Sequence, residues 1–467
     1  MGQSVDPNVS KERQNATFLS TELGSLLNKS IMNEQSEEKR QGQCFLIRGG
    51  NSIRGEFQPA GNKNEALPTL AATLLASGQN SLHNVPNIRD VNTLLRILTG
   101  LGASVEWTPG NNLSIETANI ENGAPAAQLA RAIRGSFLLA PGLLHRNGEA
   151  TLPRPGGDRI GRRRIDTHVS VLRQLGAKIE TRENQYILNL PHGFHGADIF
   201  LDEASVMATE NAVMAAAVAS GDTRIANAAS EPHVQGLCKQ LIGMGAEIRG
   251  IGTNVLEISG KSTLTPCVHT IAPDHIEVGS FVAISAMTGG ELTVLNTNAN
   301  DMRMIQMVFA KLGVSLEIDR DRVFVPGGQE LIVQNDFDGA IPKVDDAPWP
   351  GFPSDLTSIA LVLATQAQGT VLIHEKMFEN RLFFVDRLIS MGARVILCDP
   401  HRAVVTGPSR LQGDRLTSPD IRAGMALIAA ALCAEGESLI MNADQVDRGY
   451  ENVDARLRAL GADITRQ

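Results

Sequence analysis

One pattern recurs six times along this chain of 467 residues: Leu or Met, then Gly, then a small residue, then an apolar–polar alternation. It stands at Leu101-Gly102-Ala103, Leu175-Gly176-Ala177, Met244-Gly245-Ala246, Leu312-Gly313-Val314, Met391-Gly392-Ala393 and Leu460-Gly461-Ala462. The glycines are spaced by 74, 69, 68, 79 and 69 residues. Glycine at the end of an amphipathic stretch is the left-handed stop of a helix, and the alternation after it reads as a strand. Each unit also carries an earlier helix of small apolar residues, at 65–77, 208–220, 276–287, 356–366 and 421–434. The stretch 131–145 reads as the sixth, with Pro141 inside it. Six αβ units divide into two domains of three, 63–273 and 44–62 plus 274–467. The strand-like 45–59 precedes the first unit and is expected to pair back with the C-terminal half. Two crossings between two globules make a hinge, and the cleft between them is the expected ligand site.

Bulk properties exclude several classes. The net charge of -9 and aromatic content of 4%, with Trp107 and Trp349 the only tryptophans, argue against nucleic-acid binding. Five cysteines, an odd number without a CxxC pair, fit a reducing cytoplasm and argue against a disulfide framework or zinc site. The longest apolar run, 425–434, is far short of the roughly 20 residues that span a bilayer. The first 43 residues have no apolar signal core and read as a disordered or weakly helical tail. A cytoplasmic protein without membrane or nucleic-acid partners is expected, a monomer or weak homo-oligomer.

Against that acidic background, 153–164 reads PRPGGDRIGRRR: five arginines and three glycines around the single carboxylate of Asp158. Glycine and proline predict a loop. It is a solvated basic turn or a mobile lid, 151–164, closing over an anion. Lys63 at a helix start, beside free N–H groups and the positive dipole end, marks either an anion site or a capped turn, and Asn64 a cap or a hydroxyl ligand. Arg134 within an apolar stretch either snorkels or enters a charged cleft. Ser354 or Asp355, after a three-proline loop, is a helix cap or, for Asp355, a general base. Arg381, Arg422 and Arg448 occupy comparable strand-to-helix junctions. Cations there oppose the helix dipole unless an anion compensates, so a ring of positive groups around one cleft is the reading.

The ordered motifs "GNKNEALP", "PGGDRIGRRRIDTH", "TATENAVMAA", "FPSDLT", "MFENRLFFV", "PDIRAGMAL" and "DRGYENVDARLRALGA" resemble the UDP-N-acetylglucosamine enolpyruvyl transferase family over roughly residues 44–467. The resemblance implies an α/β (α+β) fold of two inverse α/β barrel domains, each with three repeats. It implies transfer of the enolpyruvyl group of phosphoenolpyruvate to the 3'-hydroxyl of UDP-N-acetylglucosamine, with release of phosphate and no cofactor or metal. That is the first committed step of peptidoglycan precursor synthesis. Other acceptors of the same fold, such as a free nucleotide, and a non-catalytic homologue are the alternatives.

By resemblance Lys63 contacts phosphoenolpyruvate, Asn64 the sugar, and Arg134 a nearby part of the cleft. Arg163 matches the phosphoenolpyruvate-binding arginine of an "RPxD" segment whose following residues hold the uridine. Here Arg164 stands for the proline, followed by Ile165, Asp166 and His168. Asp355 matches the acid beside the 3'-hydroxyl and is the expected base. Arg422 and Arg448 match further phosphoenolpyruvate-binding arginines, Asp420 a neighbouring acid, and Met377 a backbone contact to the nucleotide sugar. Asp158 stands where many relatives carry cysteine. It is expected to act as general acid toward C3 of phosphoenolpyruvate or to assist loop closure. Fosfomycin alkylates the relatives' thiol, and no cysteine occurs from 45 to 237, so resistance is expected.

Overall fold

In all six recurring stops the glycine has a positive φ, between 86° and 111°. The residue after it donates its N–H to the carbonyl five residues earlier: Ala103 to Leu98, Ala177 to Leu172, Ala246 to Leu241, Val314 to Phe309, Ala393 to Leu388 and Ala462 to Leu457, all at 2.9–3.0 Å. Both partners in every pair are buried, so each stop also seals an apolar contact. The same local device therefore ends a helix and launches a strand six times. The structure, a computed structural model, describes residues 43–120, 123–158 and 160–467. The expected N-terminal tail lies outside these, apart from Gln43.

Among the described residues the strands form six sheets, five of four strands and one of three. In each four-stranded sheet three strands run antiparallel to their neighbours and a fourth adds in parallel at one edge. The N-terminal strands β1 (Phe45–Arg48) and β2 (Gly55–Phe57) join sheets built from the C-terminal half. β1 lies between Glu437–Met441 and Asp463–Arg466, antiparallel to both, and β2 pairs parallel to Leu292–Leu295.

Six helices are buried nearly all round, the mark of helices with no solvent face. They are α1 (Lys63–Ala72), α2 (Ala140–Asn147), α3 (Val206–Ala217), α4 (His275–Met287), α5 (Thr357–Gln366) and α6 (Ile421–Cys433). The first three belong to a core drawn from residues 66–271, the last three to one drawn from 45–57 and 276–464. The stretch 131–145 is not one helix. It breaks into Ala127–Ala132, a 3-10 turn Arg134–Leu139, and α2, with Pro141 in the first turn where no backbone donor is needed. No helix among the described residues is long and apolar enough to cross a membrane.

The chain passes between the two cores at 58–62 and at 271–274. These segments are bonded to each other by Asn62 N–H to the Ala272 carbonyl (2.8 Å) and Asp274 N–H to the Ala60 carbonyl (2.9 Å). Each crossing then starts a central helix with a matching set of bonds. Asn62 Oδ1 accepts from Asn64 and Glu65 N–H; Asp274 Oδ1 accepts from Ile276 and Glu277 N–H. Glu65 accepts the Ala272 N–H of the opposite crossing, and Glu277 accepts that of Ala60. The cap of α1 is thus Asn62 and not Asn64, which leaves the Asn64 side chain free to face the cleft.

Candidate active site

Where the two crossings start α1 and α4, a cleft of ≈ 250 Å³ opens. It is lined from one core by Lys63, Asn64, Asp90, Arg134, Asp158 and Arg163, and from the other by Asp355, Met377, Arg381, Arg422 and Arg448. Nine of these eleven follow from the sequence; Asp90 does not, and the sequence places Arg381 only at a strand-to-helix junction.

Two carboxylates organise the cations. Asp90, in the first turn of Arg89–Gly100, takes Lys63 Nζ on Oδ2 at 2.9 Å and Arg448 Nε on Oδ1 at 2.9 Å. Arg448 Nη1 then reaches Asp158. Lys63 sits on the first turn of α1, where the dipole disfavours a cation, and Asp90 is the compensating anion. Burial would raise the Asp90 pKa, but Lys63 and Arg448 outweigh it and hold the carboxyl below its ordinary value.

Asp355 is held from two sides, by Arg422 at Oδ2 and by Arg381 at Oδ1. Burial again opposes ionisation, and Arg422, Arg381 and Lys63 overcome it, so the carboxyl lies far below the usual carboxylate range. Neither Ser354 nor Asp355 caps a helix: the turn Ser354–Leu356 has no side-chain cap. Ser354 Oγ instead donates to the buried Glu375 (2.8 Å) and accepts from Arg381 Nε (3.3 Å). Arg422 retains one buried nitrogen, Nη1, without a partner.

Arg163 and Arg134 supply positive charge without a carboxylate: no ion pair joins either to an acid among the described residues. Burial, then Arg134 and Arg381, push Arg163 down to about 10, so it stays charged at neutral pH. Two half-buried guanidiniums facing a cleft unneutralised form an anion site.

The arginine-rich loop touches both sides. Arg134 Nη2 donates to the Arg164 carbonyl (3.0 Å), and Asn380 N–H donates to the Ile160 carbonyl (3.0 Å). Arg162 N–H donates to Glu379 Oε2 (3.0 Å), and the Arg163 guanidinium lies 5.8 Å from the centre of the Phe378 ring.

The remaining expected residues do not line the cleft. Arg164 is exposed and paired with exposed Asp166, and Ile165 precedes the helix Asp166–Gln174. His168 is buried, with Nδ1 2.9 Å from Asn211 Nδ2 and its ring edge-on to Phe137. Asp420 caps α6, its Oδ1 accepting from Arg422 and Ala423 N–H, with Arg381 Nη1 4.0 Å away. It acts on the site by fixing where Arg422 begins. Besides Asp90, four further buried or half-buried groups at or beside the cleft, Glu210, Glu231, His233 and Glu375, have no signal in the sequence. A single acid or histidine inside a helix or after a strand carries no local signature; only long-range packing brings these together.

Residues 47–457 match the family model for EPSP synthase (3-phosphoshikimate 1-carboxyvinyltransferase). The chain is 52% identical over 422 residues to the UDP-N-acetylglucosamine 1-carboxyvinyltransferase of Bradyrhizobium diazoefficiens, covering 90% of this chain and 97% of that protein. It is 51% identical over 420 residues to the enzyme of the same name from Treponema denticola, covering 90% and 98%. Among solved structures the fold is similar to the enolpyruvyl transferase NikO of Streptomyces tendae (TM-score 0.80, 24% identity, 91% of this chain and 99% of that one). It is also similar to EPSP synthase from Acinetobacter baumannii (TM-score 0.71, 16% identity, 91% and 100%). The chain belongs to the EPSP synthase family of carboxyvinyltransferases, among relatives named UDP-N-acetylglucosamine 1-carboxyvinyltransferase.

Proposed function

We propose that this transferase moves the enolpyruvyl group of phosphoenolpyruvate to the 3'-hydroxyl of UDP-N-acetylglucosamine and releases phosphate. The observation that carries the reading is the pairing of an unneutralised two-arginine anion site with a carboxylate gripped by two further arginines, all around one cleft. Phosphoenolpyruvate carries both a phosphate and a carboxylate, and such a substrate needs several fixed cations. Lys63, Arg134, Arg163, Arg422 and Arg448 are the groups we assign to it.

The chemistry requires a proton in and a proton out. The enol double bond of phosphoenolpyruvate becomes electrophilic at C2 when C3 takes a proton. The acceptor oxygen then bonds to C2 as its own proton leaves. Loss of a proton from C3 re-forms the double bond, and the C2–O bond to phosphate breaks. We assign Asp355 as the base at the acceptor hydroxyl. Asp158 is assigned as the acid toward C3, where it would need to leave Arg448 and take up a proton. Asn64, Met377 and the 164–168 segment are assigned to the nucleotide sugar. We further infer that the two cores are two inverse barrel domains of three repeats each, hinged at 58–62 and 271–274. The family's small-molecule substrates fit a cytoplasmic site of action.

Phosphate release from phosphoenolpyruvate, measured with UDP-N-acetylglucosamine, UMP or shikimate 3-phosphate, tests this. Turnover with the nucleotide sugar alone is expected. Turnover with another acceptor only, or with none, overturns it.

A further inference from the structure

The cleft wall beside Asp355 holds a cluster that the transfer chemistry does not use. Glu210, in the middle of α3, is 1% exposed, and its Oε1 has no hydrogen-bond partner. Glu231 accepts the Trp349 N–H on Oε1 (3.3 Å) and has no partner on Oε2. His233, in the first turn of Pro232–Gly243, is 6% exposed with Nδ1 unpartnered. All three line the cleft. Folded proteins leave few buried polar atoms unpaired, and three in one cavity wall mark a place where something else supplies the bonds.

The character of these groups selects what that is. Burial, and then Glu231, push the Glu210 carboxyl well above its usual range; burial raises Glu231 as well. Burial, and then His275, bring His233 down to about 3. The wall therefore offers O–H donors, carboxyl oxygens and a neutral imidazole, with no positive charge. A phosphate, diphosphate or carboxylate gains nothing there and is repelled by either acid once ionised. Those anionic parts have the arginines and Lys63 instead. Of the two substrates, the hexose alone is uncharged and rich in groups that both donate and accept. A protonated carboxyl beside a second carboxyl answers a hydroxyl in both directions.

We propose that Glu210, Glu231 and His233 form a hexose-recognition subsite that hydrogen-bonds ring hydroxyls of the acceptor next to the one that reacts at Asp355. This rests on the nucleotide-sugar reading given above. It makes these residues determinants of acceptor specificity, separate from the cations that hold phosphoenolpyruvate.

The test uses the full-length protein with the variants Glu210→Met and Glu231→Met, similar in size but unable to hydrogen-bond a hydroxyl. For each, KM for UDP-N-acetylglucosamine is expected to rise about tenfold, the effect of losing one good hydrogen bond, while KM for phosphoenolpyruvate stays within about twofold. Calorimetry should show UDP, which lacks the hexose, binding wild type and variants alike, and UDP-N-acetylglucosamine binding the variants more weakly. With 4-deoxy and 6-deoxy sugar analogues, wild type should fall to the level of the variants for one of the two. An unchanged acceptor KM, an equal rise in both KM values, or weakened UDP binding overturns the subsite while leaving the acceptor reading in place. A wild type inactive with UDP-N-acetylglucosamine overturns the acceptor reading and the subsite with it. Thermal melts of both variants separate these outcomes from loss of fold.

Discussion

Arg422 grips the Asp355 carboxylate with two nitrogens, Nε at 2.9 Å and Nη2 at 2.7 Å from the same oxygen. With Arg381 on the other oxygen, Asp355 is a poor base while the cleft holds no anion. The same arginines are partners for an incoming phosphate or carboxylate. Sharing them weakens the grip on Asp355 and raises its proton affinity when a proton must be taken. Asp355→Asn is expected to lower kcat by about 10²–10⁴-fold while nucleotide-sugar affinity stays largely intact. It also leaves two buried guanidiniums without their carboxylate, so the melting temperature should fall, by an amount reflecting about 3 kcal/mol. Phosphate-release kinetics and calorimetric melts check both; unchanged turnover removes Asp355 as the base.

Asp90 joins Lys63 to Arg448, and without it the two cations repel each other across the cleft. Asp90→Asn should raise KM for phosphoenolpyruvate and lower kcat, together about 10²-fold in kcat/KM, because both cations lose the anion that orients them. KM for the acceptor should move much less. Steady-state kinetics with each substrate varied in turn distinguishes the two. Equal effects on both substrates would point to general unfolding of the site.

Asp158 lines the cleft, and none of the free cysteines, Cys44, Cys238, Cys267, Cys398 or Cys433, does so. Fosfomycin therefore finds no thiolate in the cleft. Burial holds the Cys238 and Cys433 thiols up at about 12, which removes their nucleophilic form as well. Intact-mass measurement after incubation with fosfomycin should show no adduct and no loss of turnover. Asp158→Cys should gain an adduct on this loop. An adduct on the unmodified protein refutes the expectation.

The six helix stops were legible because each is a local device: a glycine with positive φ, closed by a bond five residues back. The junction cations Lys63, Arg422 and Arg448 were legible because they conflict with the helix dipole, and a conflict in a sequence points outside the segment. What resolves it was not legible. Asp90 reads as an ordinary first-turn acid until the fold brings Lys63 and Arg448 to it. Asn62 rather than Asn64 caps α1 because the crossing chain fixes the entry angle, through the bond from Asn62 N–H to Ala272. Glu210, Glu231 and His233 come from two helical segments whose apolar neighbours hide them, and their meeting depends on how α3 packs beside Pro232–Gly243.

His168 gives a pH prediction. Burial, then Arg134 and Arg163, bring its pKa to about 3, against about 6.5 in the unfolded chain. Its Nδ1 accepts from Asn211 Nδ2, so the buried ring is the neutral form. Above pH 6.5 neither state binds the proton, and the fold carries no penalty. Below it the unfolded chain gains the proton first, so stability falls by about 1.4 kcal/mol per pH unit for this group as pH drops toward 3. Buried His233, also at about 3, adds a similar slope. Buried carboxyls with raised pKa, Glu210 and Glu277 among them, act in the opposite sense over this range, so the test is the difference between two proteins: from pH 6.5 to 4.5, His168→Asn should lose less stability than wild type, by up to about 1.4 kcal/mol per pH unit. An unchanged slope would show that His168 is not held neutral.

Closure of the arginine loop turns on Gly161. Its φ is 136°, and a Cβ there would lie 2.1 Å from Glu379 Oε2 and 2.9 Å from the Glu379 backbone nitrogen. The carboxylate can rotate away, but it would then lose the Arg162 N–H, and the backbone nitrogen cannot move without shifting Phe378 and Arg381. Gly161→Ala should therefore favour an undocked loop while both cores, which do not contain this residue, keep their packing. The expected result is a fall of about 10–100-fold in kcat/KM for phosphoenolpyruvate, because Arg163 and Asp158 are carried on the loop. The melting temperature should change little, and cleavage by trypsin at 159–164 should speed up. Added phosphoenolpyruvate and nucleotide sugar should slow that cleavage in wild type and much less in the variant. Full activity in Gly161→Ala would show that docking against Glu379 is not needed for turnover.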